Sequence, residues 1–367
     1  MTRASIASHA PSPASGQRPR VLTGDTPTGR LHLGHYVGSI ERRLELQVAY
    51  DCYFLLANMH AFTTRAEKPD DIRSDTIEIV KDWLACGIDP ARATVVLQTE
   101  VPAIAELSWF FAMLIPFNRV MNNPTIKTEI ESKGLGDSYP FGFPLYSVGQ
   151  CADILAFRPV FIPVGEDQVP HIEMCRFVAG KFNQVYCNVN NRTKDEDHEK
   201  EGGIFPIPQA LIGRVARLPG IDGKQKMSKS LGNAVLLSDP PSEVKKKIGK
   251  IFTGRQSPTE PGDPNNALMQ FVDAFIRDPA RAAEIKDRYA RGDNIGDGHV
   301  KAELTDSINA LLEPIRARRA EYEKPGGDDQ VIDIIKAGTR RANVIAEETL
   351  WMAKEKMRLG FFRRTLS

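Results

Sequence analysis

Long apolar runs are scarce in this sequence. None approaches the roughly 18 residues that a membrane-spanning helix needs, and the N-terminus lacks the apolar segment of a secretory signal. Cysteine is equally thin. The five present (Cys52, Cys86, Cys151, Cys175, Cys187) are odd in number and scattered, without the short paired spacings of a zinc site or a disulfide framework. They read as free thiols of a reducing, cytoplasmic environment. No sign of charge dominates either: 48 Lys and Arg face 47 Asp and Glu, so the net charge of +1 gives no push toward nucleic acid or membrane, and any RNA contact must use a local patch.

What is present is a 367-residue chain, 41% hydrophobic, long enough for two domains. Residues 1–20 are rich in Ser, Ala, Pro and Arg with no acidic residue, a faint echo of an organelle transit peptide. Their prolines favour a disordered tail. From Val21 onward, short apolar runs (Val21-Leu22, Tyr53 to Leu56, Ala93 to Leu97, Val160 to Val164) alternate with stretches of helical period near Tyr36 to Gln47, Asp71 to Cys86, Ala103 to Leu114 and Asp167 to Phe182. That alternation predicts an α/β fold with a Rossmann-like parallel sheet over 21–237. Residues 191–203 are charged and nearly free of apolar side chains, and read as a solvated loop. Beyond Leu237 the strand signals fade. Helical periodicity takes over at Ser242 to Phe252, Asn266 to Arg277, Lys301 to Glu323 and Val331 to Lys356, which predicts a helical second domain over 238–367.

Two segments carry phosphate chemistry. The first, Thr23 to His35, follows the first strand and opens into a helix, the place where open sheets bind ligands. Gly34 lets a nucleotide approach the backbone, His32 and His35 share one side of the first turn, and the helix N-terminus favours phosphate. The second is Lys226-Met227-Ser228-Lys229-Ser230, set between Gly220, Gly223 and Gly232. Glycines around two lysines suit a closing loop, and positioned lysines stabilise the charge that gathers on a leaving pyrophosphate. Separately, each has an ordinary explanation as a glycine-rich turn or a charged surface loop. Together they point to ATP.

The pair HLGH and KMSKS resembles the two signatures of class I aminoacyl-tRNA synthetases. The resemblance extends through Tyr146-Ser147-Val148-Gly149-Gln150-Cys151-Ala152-Asp153 and Val164-Gly165-Glu166-Asp167-Gln168 to the tyrosyl/tryptophanyl subgroup, and covers nearly everything from Val21 onward. The run Pro163 to Glu173 with Arg176 and Phe182-Asn183, and the stretches Pro314 to Arg319 and Ala346 to Leu350, are similar to the tryptophanyl-tRNA synthetase family.

This resemblance implies a set of roles. His32, Gly34, His35, Lys226 and Lys229 would be catalytic. ATP would be held by Thr26, Gly34, His35, Gly165, Asp167, Lys226, Met227, Ser228 and Lys229. Tryptophan would be held by Asp153, Tyr146, Gln150, Gln168 and His60. Asp153 would accept the indole N–H, since indole offers a donor and no acceptor. The same Tyr-xxx-Gln-xx-Asp spacing occurs in tyrosyl enzymes, so Asp153 alone does not separate the two, and His60 could equally be a satisfied core histidine. Gln150 and Thr26 depart from residues that some tryptophan enzymes carry.

The implied reaction joins L-tryptophan to ATP as an adenylate, with Mg2+ sharing the phosphate charge, and passes it to tRNA(Trp). Residues 238–367 would form the anticodon-binding domain, with Arg316, Arg318, Arg319, Arg340, Arg341, Lys354 and Lys356 as candidate contacts to the RNA backbone. No cysteine follows Cys187, so an iron–sulfur cluster in that domain is not expected. The resembling enzymes are homodimers, and a dimer is expected here. A tyrosyl enzyme, a nucleotidyltransferase sharing the HxGH string and a catalytically silent RNA-binding paralogue are the competing readings. Intact His32, His35, Lys226 and Lys229 speak against the last.

Overall fold

The computed structural model describes residues 18–132, 134–136, 138–165, 168–212, 218–255 and 257–366. Most of the expected N-terminal tail, residues 1–17, lies outside them.

Five strands build one parallel sheet: β1 (Arg20–Asp25), β2 (Asp51–Leu56), β3 (Ala93–Leu97), β4 (Phe161–Val164) and β5 (Gln209–Ile212), in the order β3-β2-β1-β4-β5. The order reverses between β1 and β4, which places a ligand crevice at the carboxyl ends of those two strands. Four of the strands coincide with the apolar runs of the sequence. The fifth, β5, is four residues on the sheet edge with no fully buried position, and its short Ala210-Leu211-Ile212 run is not among the strand signals read from the sequence.

Side chains alternate across the sheet. Cys52, Phe54 and Leu56 enter one core together with Val21 and Val95, while Tyr53 and Leu55 enter the other with Leu22 and Val96. Helices cover both faces. After β1 come α1 (Leu33–His35), a π-helical turn at Tyr36–Ile40 and α2 (Glu41–Ala49). After β2 come α3 (Asn58–Arg65) and α4 (Ile72–Cys86). Between β3 and β4 lie α5 (Pro102–Ala112), α6 (Phe117–Met121), α7 (Pro124–Ser132) and α8 (Gly142–Leu155), and α9 (Val169–Cys187) follows β4. Helix α8 carries the Tyr146 to Asp153 motif. Its Gly142, Pro144 and Gly149 weaken the helical pattern in the sequence.

The charged segment 191–203 is tied down more than a solvated loop requires. It contains a 3-10 turn at Asp195–Asp197, Arg176 on α9 reaches Asp195 at 2.5 Å, and His198 is buried against Asn183 at 3.2 Å. A single buried histidine among charges escapes a compositional reading.

Beyond Leu237 the chain is helical: α10 (Pro241–Gly249), α11 (Ala267–Phe275), α12 (Pro279–Arg291), α13 (Asp297–Tyr322) and α14 (Gly327–Lys356). These helices return to the sheet. Helix α14 lies along the free edge of β3, where the Leu97 N–H donates to the Thr339 hydroxyl at 3.0 Å. A Cβ at Gly338 would stand 2.1 Å from the Val95 carbonyl oxygen, so only glycine permits this approach. The free cysteines are placed as expected: Cys52, Cys86, Cys151 and Cys175 buried, Cys187 half-buried. No helix among the described residues is long and apolar enough to cross a membrane.

Candidate active site

Four of the site elements leave the carboxyl edge of the sheet: Thr26 to His35 after β1, His60 after β2, Gln98 after β3, and Gly165 and Gln168 after β4. Asp167 lies outside the described residues.

Beneath the first segment is a buried ion pair. Arg43 on α2 is 1% exposed, and its Nη1 and Nη2 donate to the two carboxylate oxygens of Asp25 at 2.9 and 3.0 Å. Its guanidinium packs 5.1 Å from the centre of the Trp83 ring, and the indole N–H of Trp83 donates to Asp25 at 3.0 Å. Burial alone pushes the Asp25 pKa up, but Arg43, His35 and these hydrogen bonds outweigh it and hold it below the usual range. The end of β1 is thereby anchored to the first helix.

On that base sit the two histidines, with ring centroids 3.8 Å apart. The His32 backbone N–H donates to His35 Nδ1 at 3.2 Å, while buried His32 Nδ1 has no hydrogen-bond partner among the described residues. Burial depresses both pKa values, to about 2 for His32 and about 4 for His35. The neighbouring Lys229 and Lys226 charges push the same way, whereas Asp25 partly opposes the shift at His35. Both rings are therefore neutral at neutral pH and act as hydrogen-bonding groups. A Cβ on Gly34 would meet the His32 ring at 3.0 Å, so glycine leaves that ring its place.

The KMSKS segment folds directly over this turn. The Lys229 ammonium donates to the Thr28 carbonyl, and its pKa is lowered, chiefly by burial. Met227 is buried, Ser228 half-buried and Lys226 exposed. Asn233 holds the loop's shape: its Oδ1 accepts the Ser228 N–H at 2.7 Å and its Nδ2 donates to Asp222 at 3.0 Å and to the Lys226 carbonyl at 3.3 Å. The strand-like stretch that follows is strapped to the first signature by Leu33 N–H to the Val235 carbonyl, 2.9 Å, and Leu237 N–H to the Leu31 carbonyl, 3.0 Å. Two segments some 200 positions apart thus form one corner with neutral imidazoles on one side and ammonium groups on the other.

A second cluster surrounds Asp153, which is 2% exposed. Gln98 Nε2 donates to Asp153 Oδ1 at 2.7 Å, and His60 Nε2 lies 3.4 Å from Oδ2. Gln98 Oε1 in turn accepts the Met59 and His60 N–H groups at 3.0 and 3.4 Å. Burial raises the Asp153 pKa to about 7, with the Gln98 hydrogen bond opposing, and lowers that of His60 to about 4, with His171 adding to the effect. His60 is thus a neutral neighbour of a carboxyl poised near neutrality. Tyr146 shares a hydrogen bond with His171 at 3.1 Å, and its phenol is pushed well above its ordinary pKa by burial and by Glu129. Gln150 on α8 and Gln168 at the start of α9 are half-buried, as is Gly165, whose carbonyl accepts the Gln168 N–H at 3.0 Å. Thr26 is exposed.

The chain as a whole has counterparts among known proteins. A family model for class I tRNA synthetases (W and Y) matches residues 14–313. This chain belongs to that family. The tryptophan–tRNA ligase of Clostridium longisporum is 39% identical to it, over 93% of this chain and 97% of that protein. The enzyme of the same name from Streptococcus mutans is 40% identical, over 94% and 99%. The crystal structure of tryptophanyl-tRNA synthetase from Campylobacter jejuni, complexed with ADP and tryptophan, superposes with a TM-score of 0.74 at 30% identity and covers 93% of this chain and 100% of that one.

In this class I synthetase the basic residues of α13 divide: Arg319 is buried, Arg316 half-buried and Arg318 exposed. Arg319 is 2% exposed and ion-paired, Arg318 donates to the Ala85 carbonyl, and Arg316 donates to the Asp239 carbonyl at 3.2 Å. Arg319 serves the fold, so the RNA contact expected of it is withdrawn; contacts from Arg316 and Arg318 to the RNA backbone remain proposed. On α14, Lys354 pairs with Glu106, whereas Arg340, Arg341 and Lys356 are exposed. Sequence reading also passed over Gln98, Asp25, Arg43 and Asn233. Asp25 and Gln98 each sit at or just past a strand's carboxyl end, a positional signal that would have found them; Arg43 and Asn233 carry none.

Proposed function

We infer that this synthetase is a tryptophan–tRNA ligase, which activates L-tryptophan with ATP and transfers it to tRNA(Trp). The observation that carries the reading is identity of about 40% to tryptophan–tRNA ligases over nearly the whole of both chains. The site chemistry agrees. Asp153, buried and held by Gln98, offers the acceptor that an indole N–H requires, and phenylalanine would leave it unpaired. Tyr146 and Gln168 are proposed to take the amino and carboxylate groups, with Gln150 and His60 lining the pocket.

In the first step the tryptophan carboxylate oxygen attacks the α-phosphorus of ATP, a P–O bond forms, the bond to the bridging oxygen breaks and pyrophosphate leaves. The charge arriving on the phosphates is met by Lys226 and Lys229 and by hydrogen bonds from neutral His32 and His35, placed before the reaction so that little reorganisation is needed. Thr26, Gly165, Asp167, Met227 and Ser228 are proposed to complete the ATP site. In the second step a terminal hydroxyl of the tRNA attacks the adenylate carbonyl and AMP leaves. No protein nucleophile takes part.

We propose Mg2+ as the accompanying ion. The ion would be carried on the ATP phosphates. It would supply further neutralisation of phosphate charge. Residues 238–367 are proposed as the anticodon-binding domain, and the cytosol as the place of work. A homodimer is proposed as well. Trp109, Met113 and Phe117 expose 65%, 67% and 66% of their surface along α5 and α6, an apolar row that a second copy would cover.

Amino-acid-dependent ATP–pyrophosphate exchange, run with each of the twenty amino acids, tests the assignment. Exchange with tryptophan alone is expected; exchange with tyrosine alone, or none, overturns it.

A further inference from the structure

Helix α13 touches residues that support the flanks of both signature segments. Arg319, inside this helix, presents its whole guanidinium to acids on neighbouring turns: Nη1 to Asp82, Nη2 to Glu78 at 2.5 Å and Nε to Glu323 at 3.0 Å. Asp82 is completely buried, and its other oxygen accepts the Leu31 N–H at 2.6 Å. Glu78 also receives Arg30 Nε at 2.8 Å. The two residues immediately before His32 are therefore gripped by two carboxylates on α4, and Arg319 holds both carboxylates.

One turn earlier on α13, Arg316 donates to the Asp239 carbonyl at 3.2 Å, and the Asp239 side chain accepts the Leu236 N–H at 2.8 Å. Leu236 forms the antiparallel bridge to His32. Arg319 and Arg316 thus close the two ends of one ladder that runs from the HLGH turn to the segment behind KMSKS. A buried carboxylate without its cation is strongly disfavoured and takes up a proton. Asp82 would then lose the charge that makes its bond to Leu31 short and well aimed.

We propose that Arg319 is a positioning residue for adenylate formation: through Asp82 and Leu31 it sets His32 against Lys229, and so ties the helical C-terminal half of the chain to the phosphate-binding corner. The proposal rests on the ligase reading above. It predicts an effect on the chemical step that leaves tryptophan binding alone, because the Asp153 cluster shares none of these contacts.

The test uses the full-length protein with Arg319→Lys and Arg319→Met, below their unfolding midpoints, with Arg281→Ala as a control that removes another α13 ion pair, that to Glu303. Small displacements of catalytic groups cost up to about 100-fold in rate, and we expect the exchange kcat of both Arg319 variants to fall by about 10- to 100-fold. The KM for tryptophan and its calorimetric Kd should stay within about twofold, since uniform binding is untouched. Arg281→Ala should match the wild type. If Arg319→Met does not fold, Arg319→Lys, which keeps the charge but cannot reach three carboxylates, decides the question. An unimpaired kcat in folded Arg319→Lys, or a KM for tryptophan that rises in step with the fall in kcat, overturns the proposal while an active wild type leaves the ligase reading standing. A wild type without tryptophan-dependent exchange removes both.

Discussion

In the proposed tryptophan site, proton chemistry and substrate choice meet in the single side chain of Asp153. Its pKa of about 7 lies far above the ordinary 3.8 because burial disfavours the charge. An ionised carboxylate accepts the indole N–H more strongly than a neutral one, so tryptophan binding favours loss of that proton. We therefore expect kcat/KM for tryptophan to fall as pH is lowered through about 7, with Asp153→Asn giving a lower, flatter profile. His60, at about 4, does not titrate in that window. Stability should run the opposite way. Between pH 3.8 and about 7 the folded chain binds a proton at Asp153 that the unfolded chain does not, so this group's contribution declines as pH rises. Urea titrations of wild type and Asp153→Asn across that range would show it. Lys229 offers a second residue-scale expectation. It touches the first signature and is proposed to meet the developing phosphate charge, so Lys229→Ala should lose about 100-fold or more in exchange kcat, measured at saturating tryptophan.

At the scale of elements, three contacts decide whether the loops hold their form. Asn233 supplies three of the hydrogen bonds that shape the KMSKS loop, and Asn233→Ala leaves the Ser228 N–H without its acceptor. We expect a destabilisation of about 1–3 kcal/mol and a fall in kcat out of proportion to it, read by thermal unfolding alongside exchange kinetics. The Arg43 and Asp25 pair is a different case, since removing either partner strands a buried charge. Arg43→Met should cost about 3–5 kcal/mol in a denaturant titration. Helix α14 meets β3 so closely that Gly338→Val must push backbone against backbone, with an expected loss of about 1–3 kcal/mol or more. None of these three is marked by a motif. The last two become visible only when a helix and a strand are brought within ångströms, whereas Asn233 acts inside one loop on partners 5, 7 and 11 positions away.

Across the whole molecule, the helical half is bound to the sheet rather than appended to it. Val331 and Ile335 share a core with Phe54 and Val95, and Ala342, Ala346 and Leu350 share the opposite core with Leu55 and Val96. Unfolding should accordingly be one cooperative transition by fluorescence and far-UV dichroism alike, and two separated transitions would show that the halves are independent. The exposed row of Trp109, Met113 and Phe117 belongs to the same scale. If it is covered by a second copy, Met113→Glu should shift sedimentation toward the monomer.

The amino-acid sequence by itself determined the parallel α/β architecture, because strand and helix periods are local, and it marked the corner proposed for ATP, because HLGH and KMSKS are contiguous strings. Tertiary structure alone decided which polar residues stand behind those strings. Gln98 orients Asp153, Asn233 shapes the loop, and Arg319 is turned inward although its run of arginines reads as surface. A side chain's partner across 55 or 237 positions leaves no periodic trace in the chain, and neither burial nor the pKa that burial imposes exists before the fold brings the partners together.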